Sequence, residues 1–136
     1  MRKYIFSALI LIVLVTFVFF QLKKTTQSAF SNYKIIDYKL NNKNLHLLVA
    51  DNQQKWKRGL MNVKKLEQGI DGMIYIFPQK AKRSFWNKNT SMDTELYWLV
   101  GDKIIGKDYL PAIKEDGKTS ASGFPQEVDK VIEIPR

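Results

Sequence analysis

The feature that most constrains this chain is a stretch of 19 residues without a charge, from Tyr4 to Leu22. At about 1.5 Å per residue, an apolar helix of this length crosses a bilayer core of about 30 Å. Basic residues flank the stretch and no small-residue cleavage site follows it, so we expect a membrane anchor over residues 1–24 rather than the alternative, a cleaved signal peptide. A polar linker over residues 25–33 then leaves residues 34–136 for a single domain.

The charges on the two sides of this stretch nearly balance. Arg2 and Lys3 precede it, and four lysines lie among the first residues that follow it. The positive-inside rule therefore decides little about orientation. We expect a single-pass membrane protein, attached through residues 4–22, whose C-terminal domain lies outside the cytoplasm. The absence of cysteine is compatible with that location.

Composition excludes several kinds of chemistry. Without cysteine there is no disulfide, no thiolate nucleophile and no cysteine-ligated zinc site. His46 is the single histidine, so mechanisms that need two imidazoles are excluded too. The net charge of +9 comes mostly from lysine, with no recognisable nucleic-acid-binding module, and the aspartates form no calcium-binding loop. We expect no metal, no cofactor and no nucleic acid partner.

The pattern of residues 34–136 predicts strands and little else. Asn41 and Asn42 separate two partly alternating segments, which indicates a hairpin because asparagine tolerates positive φ. A short helical pattern follows Asp51, which is expected to cap it, and ends near Gly59. The sequence therefore predicts a mainly β sandwich or barrel with one short helix. The predicted strands cover residues 34–40, 43–50, 73–77, 85–90, 95–100, 103–105 and 128–134.

Five short motifs occur in a fixed order along the domain. They are RGLM (Arg58 to Met61), GM (Gly72 and Met73), FP (Phe77 and Pro78), SFWNKNT (Ser84 to Thr90) and IEIP (Ile132 to Pro135). In this order, over residues 44–136, they resemble domain-of-unknown-function family 192. The resemblance implies a compact, jelly-roll-like β fold and supplies no activity. Glu95 occupies the position where that family usually has aspartate.

The polar end of the SFWNKNT motif supplies a candidate site. A charged Lys88 between Trp86 and Thr90 on one face of a strand needs a partner, and Glu95 is the candidate. With Arg58 added, a concave surface of this kind suits an anionic or hydroxyl-rich ligand. A structural ion pair between Lys88 and Glu95 would explain the same residues without any ligand. The candidate ligand-binding residues are Arg58, Trp86, Lys88, Asn89, Thr90 and Glu95.

Three tryptophans, Trp56, Trp86 and Trp98, could stack on sugar rings, but we expect them in the core because aromatic side chains bury the most area. The leading functional hypothesis is a non-enzymatic binding or accessory module of the cell envelope, with a saccharide or an anionic polymer as ligand. One alternative is a hydrolase of such a polymer, with Glu95 as general base. Another is a structural partner in a membrane complex. The sequence identifies no catalytic residue beyond this and leaves the oligomeric state open.

Overall fold

A computed structural model of the chain describes residues 29–136, within which Asn32–Arg136 form one compact unit. The predicted anchor and most of the predicted linker, residues 1–28, lie outside the described residues. Within the described part of the chain, no helix has the length and apolar character needed to span a bilayer.

About half of the described chain is strand, and one short helix is present. The elements in chain order are β1 (Ile35–Leu40), β2 (Lys43–Ala50), α1 (Gln53–Arg58), β3 (Gly72–Ala81), β4 (Ser84–Trp86), β5 (Thr94–Val100), β6 (Lys103–Leu110), β7 (Ala121–Gly123) and β8 (Val128–Pro135). A six-stranded sheet has the order β1-β2-β3-β8-β5-β6, and β4 pairs with β7 in a separate two-stranded sheet. Only β2 and β3 are parallel among these pairs, and α1 lies in the connection between them. The prediction of a mainly β domain with one short helix is confirmed.

Local turn chemistry fixes two hairpins where the sequence predicts them. Asn41 and Asn42 have φ of 47° and 64° between β1 and β2, and Gly101 has φ of 58° between β5 and β6. The helix begins one residue later than predicted, because Asn52 rather than Asp51 caps it and accepts a 3.0 Å hydrogen bond from the backbone of Lys55. Short-range signals of this kind can be read without knowing the tertiary structure.

Three predicted strand ends are wrong, among them the end of β6, which lies at Leu110 rather than at Ile105. The strand predicted over residues 85–90 stops at Trp86, and the chain then turns, with the Thr90 amide donating to the Asn87 carbonyl at 3.0 Å and Asn89 at φ 51°. The strand alternation that was expected to place Lys88 and Thr90 on one face therefore stops at Trp86. Conversely, β3 extends past Pro78 to Ala81, with an irregularity in its pairing to β8.

The six-stranded sheet is apolar on both faces. The side chains of its central strands are mostly apolar, and successive ones point to opposite sides of the sheet. One face carries a cluster made of Leu40, Leu47, Val49, Ile74, Leu99 and Ile132. The other face packs under β4, where Phe85 contacts Tyr75 at 4.7 Å and Trp98 at 5.6 Å between ring centroids. A small sheet packed on one face of a larger one is the arrangement of a β sandwich. The candidate site lies on this second face.

Candidate functional site

A cleft of about 230 Å³ separates α1 from β4. It leads to an inner cavity of about 30 Å³, and the two share five lining residues. The cleft is lined by Gln53, Trp56, Lys57, Tyr75, Phe77, Arg83, Ser84, Phe85 and Trp86. The inner cavity adds Arg58, Gly59, Leu60, Met61, Thr90 and Glu133.

The helix side of the cleft is held by Trp56. Its indole Nε1 donates to the Ala50 carbonyl at 2.8 Å, and its ring lies 5.1 Å from the ring of Phe77 on β3. The helix completes only one full turn before Gly59, whose φ of 47° is not helical and ends it. The aromatic side of α1 is therefore fixed against the sheet, and the next residues turn towards the inner cavity.

Gly59 is required by a close approach as well as by its backbone angle. A Cβ atom at this position would lie 2.6 Å from Tyr75 Oη, which is below any normal contact. Tyr75 is itself buried, so its hydroxyl has little room to move away. The glycine of the RGLM motif thus lets the helix end directly above the Tyr75 hydroxyl.

A buried carboxyl forms the inner end of the site. Tyr75 Oη donates to Glu133 Oε2 at 2.6 Å, and both side chains are buried. Burial raises the pKa of Glu133, and hydrogen bonds from Tyr75 and Thr94 only partly oppose that effect. The pKa of Tyr75 is raised as well, by burial and by the nearby carboxylate. Glu133 therefore keeps its proton to a higher pH than an ordinary glutamate does.

The outer part of the cleft is aromatic and cationic. Trp86 is 54% exposed, and Lys88 Nζ lies 5.1 Å from the centre of its ring. The Arg83 guanidinium lies 4.0 Å from the centre of the Phe77 ring. Lys57 also lines the cleft, and among the described residues no Asp or Glu does. The outer cleft therefore has a positive field over exposed aromatic surface.

The structure brings together most, but not all, of the residues predicted as a site. Arg58, Trp86 and Thr90 line the inner cavity, and Lys88 lies over Trp86 at its edge. Asn89 instead forms the turn after β4, where its carbonyl accepts from the Asn62 amide at 2.8 Å. Asn89 therefore has a structural role in a turn and does not line the cleft or the inner cavity.

Glu95 is neither beside Lys88 nor among the residues that line the cleft and cavity. It pairs with Arg136 and with Lys107 Nζ at 2.9 Å, and it accepts from the Tyr97 hydroxyl at 2.8 Å. These partners lower the pKa of Glu95 to about 2, with Arg136 the largest influence. The predicted pairing of Lys88 with Glu95 is therefore wrong, because β5 directs Glu95 towards the C-terminal end of the chain.

The tryptophans divide between core and site. Trp98 is fully buried, as expected. Trp56 is half-buried in the cleft wall and Trp86 is exposed, so the expectation of a core position is wrong for Trp86. In the described part of the chain, no group of three or more His, Asp or Glu side chains is placed to hold a metal ion.

Sequence reasoning missed Tyr75, Arg83 and Glu133. The signal for Glu133 was present, since this carboxylate lies in the apolar half of its strand, between Ile132 and Ile134. Its partner, Tyr75, could not be predicted in the same way, because 58 positions separate the two residues and the pairing of β3 with β8 brings them together.

These features define a class of protein: a small, mainly β domain with an aromatic, cationic cleft beside its one described helix. The model of family DUF192, described as "Uncharacterized ACR", matches residues 36–136. The chain belongs to this family, which confirms the resemblance of its motifs.

Two solved structures share the fold. One is a Sinorhizobium meliloti 1021 protein described as a "putative transcription regulator", with a TM-score of 0.59 and 19% identity, covering 76% of this chain and 78% of that one. The other is a protein of unknown function from Novosphingobium aromaticivorans DSM 12444, with a TM-score of 0.55 and 15% identity, covering 81% of this chain and 86% of that one. At these identities the likeness shows the fold alone. No curated protein matches the chain.

Proposed function

We propose that this chain is a non-enzymatic binding module of the cell envelope that holds a saccharide or an anionic polymer in the cleft between α1 and β4. The observation that carries the proposal is the exposed ring of Trp86, with Lys88 above it, at the mouth of a cleft without acidic lining residues in the described chain. The proposal includes a membrane anchor over residues 1–24, which is supported by the uncharged stretch of sequence there. It also includes a location of the domain outside the cytoplasm.

Aromatic surface of this kind favours ring-bearing ligands. Trp86 leaves more than half of its surface in water, whereas Trp98 and Tyr75 on the same side of the sheet are fully buried. A large amphipathic aromatic that remains exposed beside a concave site is typical of a binding contact rather than of a core. The apolar face of a sugar ring can cover it, and the surrounding polar groups can then bind the sugar hydroxyls.

The charges favour an anionic partner. Lys57 and Arg83 line the cleft, and Lys88 lies over the Trp86 ring. Glu133 is the one acid in the inner cavity among the described residues, and burial raises its pKa. The local field is therefore positive, which draws anionic ligands towards the cleft and speeds their association.

A hydrolase is the second candidate, with Glu133 rather than Glu95 in the acid–base role. A buried carboxyl with a raised pKa at the end of a cleft has the character of a general acid. Glu95 is unsuited to proton transfer near neutral pH, because its cationic partners lower its pKa to about 2. Release of p-nitrophenol from aryl glycosides by the wild-type chain, abolished by Glu133→Gln, would favour this candidate.

Calorimetric titration of the full chain in detergent tests the binding proposal. We expect it to bind polygalacturonate most tightly and a neutral cello-oligosaccharide more weakly. Polyglutamate, which is an anionic chain without sugar rings, should bind least tightly of the three. Trp86→Ala should weaken polygalacturonate binding by about 10-fold or more, since truncating a central aromatic contact costs about 2 kcal/mol.

Tyr109→Ala is the matched control for Trp86→Ala. Tyr109 is a similarly exposed aromatic residue, at 49%, and it lies on β6, outside the cleft lining. Its removal should change polygalacturonate affinity less than about two-fold. Equal effects of the two variants, or equal affinity for polyglutamate and polygalacturonate, would contradict the proposed site.

A further inference from the structure

The guanidinium group of Arg83 is fixed in the wall of the cleft. The backbone carbonyl of Arg83 accepts a hydrogen bond from the Phe124 amide at 3.2 Å, just before β4 begins. Its Nη2 donates to the Gln79 carbonyl at 3.1 Å, and the group lies over the Phe77 ring. A cation already held by a hydrogen bond and a ring contact loses little further entropy when it binds a ligand.

One buried donor of this group has no partner in the described chain. Arg83 Nε is buried and has no hydrogen-bond acceptor among residues 29–136. A buried donor without an acceptor is energetically costly, so native proteins rarely leave one in place. Arg83 lines the cleft, so a small shift of its side chain would open Nε to an acceptor on a bound molecule there.

The surroundings of Arg83 specify the chemistry of that acceptor. The described lining of the cleft contains a second cation, Lys57, and no carboxylate, so an anionic oxygen is favoured over a neutral one. A carboxylate is an anionic acceptor whose geometry matches the planar guanidinium well. The exposed aromatic ring of Trp86 lies in the same lining and suits the apolar face of a ring.

The inner cavity specifies a second contact. Its volume of about 30 Å³ has room for one small group such as a hydroxyl. The polar groups there are the Tyr75–Glu133 pair, Thr90 and Arg58. A hydroxyl can both donate and accept, so it suits this mixed set.

We propose that Arg83 is the acid-recognising residue of the cleft, where its Nε–H donates to a carboxylate oxygen of an acidic sugar unit, a uronic acid. The ring of that unit packs on Trp86, and one of its hydroxyl groups enters the inner cavity beside Tyr75 and Glu133. This inference rests on the proposed function, because it names the ligand class of the same cleft.

Calorimetry with two matched ligands, trigalacturonic acid and its methyl ester, tests the assignment on the full chain in detergent. Arg83→Gln should weaken binding of the acid by about 10- to 100-fold, since a hydrogen bond to a charged group is lost. Arg83→Lys, which keeps the charge but removes Nε, should weaken it nearly as much. Binding of the methyl ester should be weaker than that of the acid in the wild type and should change less than about three-fold in the Arg83 variants, because a neutral ester carbonyl accepts a weaker hydrogen bond than a carboxylate.

Lys82→Gln is the matched control. It removes the same charge from the neighbouring residue, which is exposed and is not among the residues lining the cleft. It should change affinity for the acid less than about three-fold, because a solvent-exposed charge outside the site is largely screened. Retained ester binding by the Arg83 variants also shows that they are folded.

Two results would overturn the inference while leaving the proposed function in place. One is an equal loss of acid binding in Arg83→Gln and Lys82→Gln, which would mean that Arg83 contributes only general charge. The other is full affinity in Arg83→Lys, which would mean that Nε makes no contact. If the wild-type chain binds neither the acid, the ester nor the polymer, the proposed function itself fails.

Discussion

Replacing Gly59 by alanine tests the geometry on which the inner cavity depends. The first cost is backbone strain, because φ of 47° with ψ of −134° lies outside the left-handed helical region and costs a residue with a side chain about 1–3 kcal/mol. The second is contact, because the new Cβ would lie 2.6 Å from Tyr75 Oη. Tyr75 is buried, with its ring against Phe85, so the hydroxyl cannot withdraw without losing its hydrogen bond to Glu133. That loss adds about 1–3 kcal/mol, which brings the total to about 2–6 kcal/mol.

Urea unfolding of the full chain in detergent, followed by far-ultraviolet ellipticity, measures this cost. Gly101→Ala is the control, because Gly101 has a similar φ of 58° and a Cβ added there would meet no atom within 4 Å, so only the backbone cost of about 1–2 kcal/mol remains. In a Tyr75→Phe background, Gly59→Ala should lose the contact part of its effect. Equal destabilisation by Gly59→Ala and Gly101→Ala would refute the close approach of Gly59 to Tyr75.

Three further predictions concern charge and burial. Because burial raises the folded-state pKa of Glu133, its contribution to stability is complete below the unfolded pKa of about 4 and is lost as pH rises through the folded value. Glu133→Gln should therefore flatten urea-unfolding stability between pH 4 and 8. Glu95 behaves oppositely, since its folded pKa is about 2, and Glu95→Gln should remove a loss of stability seen as pH falls from about 4 towards 2. In thermal melts, Trp98→Ala should cost about 3–5 kcal/mol, whereas the exposed Trp86→Ala should cost less than about 1 kcal/mol.

The parts of the fold that follow from neighbouring residues could be predicted from the sequence. The Asn41-Asn42 turn, the hairpin at Gly101 and the short helix ending at Gly59 each depend on a few adjacent side chains and on the φ values they tolerate. Part of the site was predictable for the same reason. Arg58 and Trp86 lie in short motifs, and the structure places both at the inner cavity.

The parts that depend on strand pairing could not be predicted in this way. Glu95 binds Arg136, which is 41 positions away, and only the pairing of β5 with β8 makes the two neighbours. The turn after Trp86 has a similar origin. Asn87, which continues an apparently extended segment, uses its side chain to bind the Pro111 carbonyl at 2.8 Å and the Ser120 amide at 2.6 Å. These contacts with a later loop override the local preference for a strand.

The most direct measurement of ligand binding in the cleft is a proton–nitrogen correlation spectrum of the three indole N–H groups during titration of the full chain with trigalacturonic acid. Trp56 and Trp86 line the cleft, whereas Trp98 is buried and donates to Asp108 at 3.1 Å. We predict saturable shifts of the Trp56 and Trp86 signals with the Trp98 signal unchanged. Three unchanged signals at millimolar ligand, or a shift of the Trp98 signal alone, would contradict binding in the cleft between α1 and β4.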